Sequence, residues 1–234
     1  MISALRLTAE IRNKLNRVNS NYDQTIKQAQ LDLFATEAYH VWFKNKAKVF
    51  KEQGLRDLID YEVKRYKLTP VRVDSTSFFV SYPPDLYKCT RRLALAKRDN
   101  CSLRSLIIHP VESDDLDEAL RSSDISPSFD YEETIGNEGR GGMYVFVSDF
   151  EITSVEIDYL KKPGDIKTPS LAPDGYYIDP DGNNVTQDSG VESDSAMQYH
   201  EIADLAVLFA LNALSDFPEF QNRLNEILSK QRQL

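Results

Sequence analysis

Met143-Tyr144-Val145-Phe146-Val147-Ser148-Asp149-Phe150-Glu151-Ile152-Thr153-Ser154-Val155-Glu156-Ile157-Asp158-Tyr159-Leu160-Lys161-Lys162-Pro163 is the densest run of β-branched and aromatic residues in the chain, flanked by Gly141-Gly142 and Gly164. Tyr144, Phe146 and Ser148 alternate with Val145 and Val147. Ile152, Val155, Ile157 and Tyr159 follow a polar break at Ser148-Asp149. Alternation of this kind lines the two faces of a strand, so the stretch predicts two consecutive strands joined as a hairpin.

Upstream, the period is helical. Leu5, Ile11, Leu15, Val18, Tyr22, Ile26, Ala29 and Leu33 recur at spacings of three or four over much of residues 2–52, with a polar break at Asn19-Ser20-Asn21. The second helix carries Ile26, Leu33, Phe34, Ala38, Val41, Trp42 and Val49 on its apolar side, and Gly54 suits its C-terminal cap. A third helix is expected from about Leu55 to Tyr66, stopping before Thr69-Pro70. Beyond Pro70, Val71, Val73, Phe78, Val80 and Tyr82 alternate, and strands are expected at Cys89–Ala96 and Leu103–His109 around an Arg98-Asp99-Asn100 turn. Ser113 to Leu120 reads as a short helix capped by Ser113.

Downstream, residues 163–195 are rich in Pro, Gly, Asp, Asn and Ser, with Tyr176-Tyr177-Ile178 as a possible edge strand. Tyr199 to Leu214 is apolar nearly all round and must be buried on most sides; Asp216-Phe217-Pro218-Glu219 opens a last amphipathic helix. The expected class is therefore α+β: an N-terminal bundle of long helices and a small antiparallel sheet of hairpins, closed by C-terminal helices. The expected divisions are 1–69 (helical), 70–163 (β-rich, with a short helix near 113–122), 164–198 (extended excursion) and 199–234 (helices packing on the N-terminal ones).

The 234 residues suffice to bury a core without staples, and Cys89 and Cys101 stand in no metal or redox spacing. A chain made in a reducing intracellular compartment, with no secretion signal, is expected. The longest apolar run, Leu205–Leu211, falls far short of the roughly 20 residues that span a bilayer. A net charge of −9 argues against a dedicated nucleic-acid binder. Its distribution is uneven: residues 1–110 carry 20 Lys+Arg against 11 Asp+Glu, and residues 111–234 carry 8 against 26. The halves are solvated faces, or sit in different electrostatic surroundings, or attract each other between subunits.

No motif announces chemistry. Asp179-Pro180-Asp181-Gly182-Asn183-Asn184 lacks the glycine and glutamate spacing of a calcium loop and reads as a turn. Cys89, Cys101, His109 and His200 have no zinc spacing. Gly139-Arg140-Gly141-Gly142 lacks the Lys-Ser/Thr of a phosphate loop and reads as a lead-in to the strand at Met143. Arg91, Arg92, Lys97 and Arg98 form a candidate basic contact, together with Arg104. Arg91 and Arg92, adjacent on a strand, point to opposite faces. Acidic clusters at Asp114-Asp115-Asp117-Glu118 and Glu132-Glu133 have no matching nucleophile. The residues favour no enzyme, and neither cofactor nor metal is expected.

The order of parts resembles virion structural proteins of short-tailed, especially crAss-like, bacteriophages. The residues that carry the resemblance are Tyr82-Pro83-Pro84-Asp85-Leu86-Tyr87, Asp114-Asp115-Leu116-Asp117-Glu118-Ala119-Leu120, Pro127-Ser128, Asp158-Tyr159-Leu160-Lys161-Lys162-Pro163 and His200-Glu201-Ile202-Ala203-Asp204-Leu205-Ala206. The resemblance implies a head-to-tail connector, adaptor or tail ring component without enzymatic activity, located in the neck or tail of the virion. It would form a closed ring, of about twelve copies by family analogy. Its partners would be itself, the portal and other neck or tail rings, with DNA passing through unread and no membrane involved. Candidate subunit-interface residues are Trp42, Tyr159, Lys161, Lys162, Tyr176 and Tyr177; a candidate acidic channel face is Asp114, Asp115 and Glu118. The alternative is an intracellular binding or regulatory module whose 163–195 loop orders on a partner.

Overall fold

Helix-period and strand-period segments sort the chain into two units, one built from Met1–Tyr61 with Pro163–Leu234 and the other from Glu62–Lys162. The computed structural model describes residues 3–18, 26–53, 56–99, 101–122, 126–169, 188–191 and 196–213. In chain order its elements are α1 (Ala4–Val18), α2 (Gln28–Gln53), a 3-10 helix (Arg56–Tyr61), β1 (Glu62–Leu68), β2 (Val71–Arg72), β3 (Ser77–Ser81), β4 (Leu86–Lys97), β5 (Arg104–Val111), α3 (Leu116–Arg121), β6 (Glu133–Gly139), β7 (Gly142–Phe146), β8 (Glu151–Lys161) and α4 (Ala196–Ala213).

The helical unit is made from both ends of the chain, so the expected N-terminal bundle is absent: α1 and α2 do not close a core without α4, which packs against both. On α1 the buried stripe is Ala4, Leu7, Thr8, Ile11 and Leu15. On α2 it is Leu31, Asp32, Ala35, Ala38, Tyr39, Trp42, Phe43 and Ala47. Leu33 and Val41, expected on that stripe, are exposed. The buried stripe mixes the small Ala35, Ala38 and Ala47 with the bulky Leu31, Tyr39, Trp42 and Phe43. α4 buries Ile202, Ala203, Ala206, Val207, Leu208, Ala210 and Leu211, and its polar residues reach back: Trp42 Nε1 donates to Glu201 Oε2 (2.7 Å) and Lys14 Nζ to Asp204 Oδ1 (2.7 Å).

One polar side of α2 holds the chain just beyond Pro163. The buried Asp32 accepts the Thr168 amide N–H and hydroxyl (both 2.8 Å), Thr36 Oγ1 accepts the Ile166 N–H (2.9 Å), and His40 faces Asp165 at 3.6 Å. Residues at i, i+4 and i+8 share a helix face, so three turns of α2 pin one extended segment. Lys167 and Ser189 exchange backbone hydrogen bonds of 3.0 Å, joining residues 188–191 to the same clasp. The Tyr176-Tyr177-Ile178 edge strand, the Gly54 cap and the last helix, from Asp216, lie outside the described residues.

The second unit holds one eight-stranded sheet in the order β1-β8-β4-β5-β6-β7-β3-β2. In a flat sheet seven strand spacings of about 4.8 Å would separate β1 from β2 by about 34 Å. Leu68 and Val71, however, are three Cα steps apart and so within about 11 Å. The sheet must curl, and it forms a half-barrel. Its interior is filled by Leu68, Phe78, Val80, Ala94, Ala96, Leu106, Ile108, Met143, Val145, Ile152, Val155, Ile157 and Tyr159. The expected small sheet of antiparallel hairpins is therefore corrected: the sheet is large and mixed, because β5 and β6 run parallel across the connection that contains α3.

The Met143–Pro163 stretch is not a hairpin either. β7 pairs with β6 and β3, and β8 pairs with β1 and β4, four places away in the sheet. The actual hairpin is β6–β7, whose two-residue turn places Gly141 at φ 78, the left-handed region that glycine enters without strain. The expected third helix ends at Tyr61, where β1 begins and pairs Glu62 with Leu160. Lys64 and Arg65 interrupt that pairing with a bulge, and a bulge plus exposed charges blunts an edge strand against further pairing. Asp115, not Ser113, is the N-cap of α3; Ser113 Oγ instead accepts from Asn137 Nδ2 (3.2 Å).

Asp32→Ala would leave the buried Thr168 amide N–H without its acceptor and should destabilise the helical unit by about 1–3 kcal/mol. Urea denaturation of the full chain followed by Trp42 fluorescence tests this, and an unchanged midpoint would contradict the clasp.

Candidate functional site

Alternation along β4 puts Arg92 inside the half-barrel and Arg91 outside it. Arg92 stands opposite Ile157 and pairs with Glu138. Arg91 is exposed and lies 3.7 Å from Asp158. Arg98, just past the end of β4, makes a two-oxygen contact with Asp130 (2.8 and 3.1 Å) and a further one with Asp149 (3.1 Å). Arg104 lies 3.8 Å from Glu132. Of the four expected basic-contact residues, Lys97 alone makes no ion pair among the described residues. The same pattern runs through the molecule: Lys67–Glu156, Arg72–Glu151, Lys14–Asp204 and Lys46–Glu201 also join a cation of residues 1–110 to a carboxylate of residues 111–234.

The end of the half-barrel near Arg98 is built on Phe129. The guanidinium carbons of Arg98 and Arg104 lie 4.8 and 5.0 Å from the centre of this buried ring. A cation held over an aromatic face gains from the ring quadrupole, and the Asp130 carboxylate holds the Arg98 guanidinium protonated, raising its pKa. Arg98 in turn keeps the Asp130 carboxyl below its ordinary value. Beside them opens a cleft of about 320 Å³ lined by Arg72, Lys97, Arg98, Asp99, Ser148, Asp149, Phe150, Glu151 and Thr153. Its cations and carboxylates largely satisfy one another, so it offers no net charge to a ligand.

The opposite end joins two of the segments quoted for the resemblance. Tyr159 Oη donates to Asp85 Oδ1 (3.1 Å), the Lys162 amide donates to the Asp85 carbonyl (2.6 Å), and Lys162 Nζ reaches the Pro84 carbonyl (3.4 Å). Tyr82 Oη donates to Glu138 Oε1 (3.0 Å), which also receives Arg92. Burial pushes both phenols up, Tyr159 to about 12 with the Asp85 hydrogen bond adding to it. Lys161 is half-buried on β8 and Lys162 is exposed.

Trp42 is elsewhere, in the helical unit, 3% exposed under α4. Tyr176 and Tyr177 lie outside the described residues. Asp114, Asp115 and Glu118 are exposed around the start of α3 and make no ion pair among the described residues. No group of three or more His, Cys, Asp or Glu among the described residues could hold a metal ion, and no described helix is long and apolar enough to cross a membrane.

Two apolar rows on the outer face of the sheet escape a reading of the sequence alone. Register pairs Val71 with Phe79 and Phe79 with Tyr144, setting three side chains side by side across β2, β3 and β7. Val71 is 63% exposed and Tyr144 38%, and the Phe79 and Tyr144 ring centres are 5.0 Å apart. The Phe79 ring passes over Gly142, where a Cβ would strike it at 2.6 Å. The second row crosses β4 and β5, where Leu93 stands opposite Ile107; Leu103 shares the strand parity of Ile107, and the Glu132 carbonyl, next in the chain to the turn residue Tyr131, accepts the Ile107 N–H (2.8 Å). Ile107, Leu103 and Tyr131 are 51%, 53% and 80% exposed. Alternation in the sequence marks such residues as facing one side of a strand; only the strand order makes them neighbours.

No protein-family model matches this chain, and no curated protein matches it.

Because the folded state raises the Tyr159 pKa from 10.0 to about 12, it favours the neutral phenol. The stability this contributes is complete below pH about 10 and is lost as pH climbs towards about 12. Tyr159→Phe should therefore cost about 1–2 kcal/mol at neutral pH, through the lost hydrogen bond to a carboxylate, and should flatten the alkaline fall in stability. Equal alkaline slopes for wild type and variant would rule out this role.

Proposed function

We propose that this chain is a non-enzymatic structural subunit of a short-tailed bacteriophage virion, assembling as an oligomeric ring in the neck or tail through which DNA passes. The observation that carries the proposal is the Val71–Phe79–Tyr144 row: an apolar, partly aromatic strip left in solvent on a sheet whose core is already full. Aromatic strips of this kind are what protein interfaces bury.

The charge arrangement supports the same reading. A protein that grips DNA offers unpaired Lys and Arg to phosphate. Here Arg72, Arg91, Arg92, Arg98 and Arg104 each face a carboxylate of the same chain. Asp114, Asp115 and Glu118 are exposed, and on a channel wall they would repel phosphate and let it slide. The partners are the chain itself, the portal and the adjoining rings.

The clasp at Lys167–Ser189 favours a second reading. It holds both described ends of the 163–195 excursion on the helical unit, as a binding module that presents a loop to a partner would require.

Electron microscopy of virions carrying this chain tests the proposal. The chain should occupy a ring of fixed symmetry between capsid and tail, with the α3 carboxylates towards the lumen. Absence of the chain from the particle sinks the ring; α3 turned away from the lumen sinks only the acidic channel.

A further inference from the structure

The two apolar rows lie on different parts of one rigid sheet and are kept apart by a capped strand. β6 runs between β5 and β7, and its outward residues Ile135 and Asn137 are buried beneath the connection that contains α3. Asn137 Nδ2 donates to the Val111 carbonyl (3.0 Å) and to Ser113 Oγ (3.2 Å), fixing that cover. The rows therefore cannot merge into one patch. They also differ in make-up: one is largely aromatic and passes over Gly142, and the other is aliphatic and lies by the 80% exposed Tyr131. Across a two-fold axis both joints between unlike rows would have to form within the same pair of copies; two unlike rows set apart on one body also allow a contact repeated head to tail.

Charge points the same way. Beside the aromatic row, the tip residue Arg140 is exposed and makes no ion pair among the described residues. Beside the aliphatic row stand Glu132, 3.8 Å from Arg104, and Glu133, 3.6 Å from the His109 ring, both with carboxylates partly exposed. Glu132 also sits at φ 59, a left-handed conformation that strains a side-chain-bearing residue.

We infer that the Phe79–Tyr144 row of one copy packs on the Ile107–Tyr131 row of the next, with Arg140 meeting Glu132 and Glu133 across the joint. This rests on the ring-forming reading above and assigns its interface. The occupant of each row is a second copy of this chain.

Head-to-tail pairing through two rows carries the wild type past a dimer, where a two-fold contact stops, and limits a mixture of one-row variants to a dimer. Tyr144→Glu disables one row and Ile107→Lys the other. Sedimentation velocity of the full-length wild type should show concentration-dependent oligomers, and each variant alone should be monomeric. An equimolar mixture of the two variants should form a one-to-one dimer and nothing larger, because each supplies the row the other has lost. Tyr144→Ser and Ile107→Ser, milder changes on the outer face, should weaken assembly at least tenfold with unchanged circular dichroism and melting, which separates lost contact from lost folding. Wild-type oligomers that ignore all four substitutions overturn the assignment and leave the ring reading standing. Variants that are monomeric alone and stay so when mixed overturn the head-to-tail pairing. A wild type that remains monomeric to about 1 mM overturns both, since interfaces of specific size associate below that concentration.

Discussion

Thr69 and Pro70 have to join the first and last strands of an eight-stranded sheet, and most of the architecture follows from that short reach. A sheet of this width cannot stay flat when its outer strands are tied together by two residues, so it curls. Curling separates an inside from an outside. The inside takes Ala94, Ala96, Ile108, Met143, Val145 and Val155, small and large residues alternating around a narrow space. The outside is left with the residues of opposite parity, and where no helix covers them they face solvent. The bulge at Lys64-Arg65 and the brevity of β2 then keep the two tied edges from recruiting foreign strands.

Charge is arranged by the same folding. Residues 1–110 are basic and residues 111–234 acidic, yet neither spatial unit inherits that bias. The unit from Glu62 to Lys162 has 14 Lys+Arg and 18 Asp+Glu, leaving 14 and 19 of the chain's 28 and 37 for the other. β4 brings early cations beside β8, and α1 and α2 bring theirs beside α4. What reads along the sequence as polarity becomes, within each unit, a set of pairs that join distant parts of the chain. Pairs at exposed positions contribute little individually, on the order of 0–1 kcal/mol, but a wrong strand order would set like charges together.

Local period was legible; pairing was not. The alternation at 89–96 and 103–109 and the turn between them identify β4 and β5 because a hairpin is a local event. Helices α1 and α2 were legible for the same reason: Ala38 and Trp42 of the expected α2 stripe are buried, although Leu33 and Val41 of the same stripe face solvent and Ala35 and Ala47, outside it, are buried. Met143 to Pro163 failed as a hairpin because nothing in one strand's residues states whether its partner is its neighbour. β7 and β8 are consecutive, yet each finds its partners elsewhere. Tyr66, aromatic and near a proline, fitted a helix end as well as a bulged strand. At the candidate site, Arg91, Arg92 and Arg98 were visible as cations, but the carboxylates that absorb them lie 32 to 67 positions away and become partners only through register. The two outer rows were hidden for the same reason.

Glu62 and Leu160 are register partners, so the chain enters and leaves the sheet at neighbouring strands, as an inserted domain does. This placement sets an order of assembly during synthesis. α1 and α2 emerge from the ribosome first, but the Glu201 and Asp204 that receive Trp42 and Lys14 follow more than a hundred and fifty residues later. The sheet has all its strands once Lys161 has emerged, before any of α4 exists. The helices made before the sheet are therefore finished after it, and α1 and α2 wait with their apolar stripes open while an entire domain folds between them and α4.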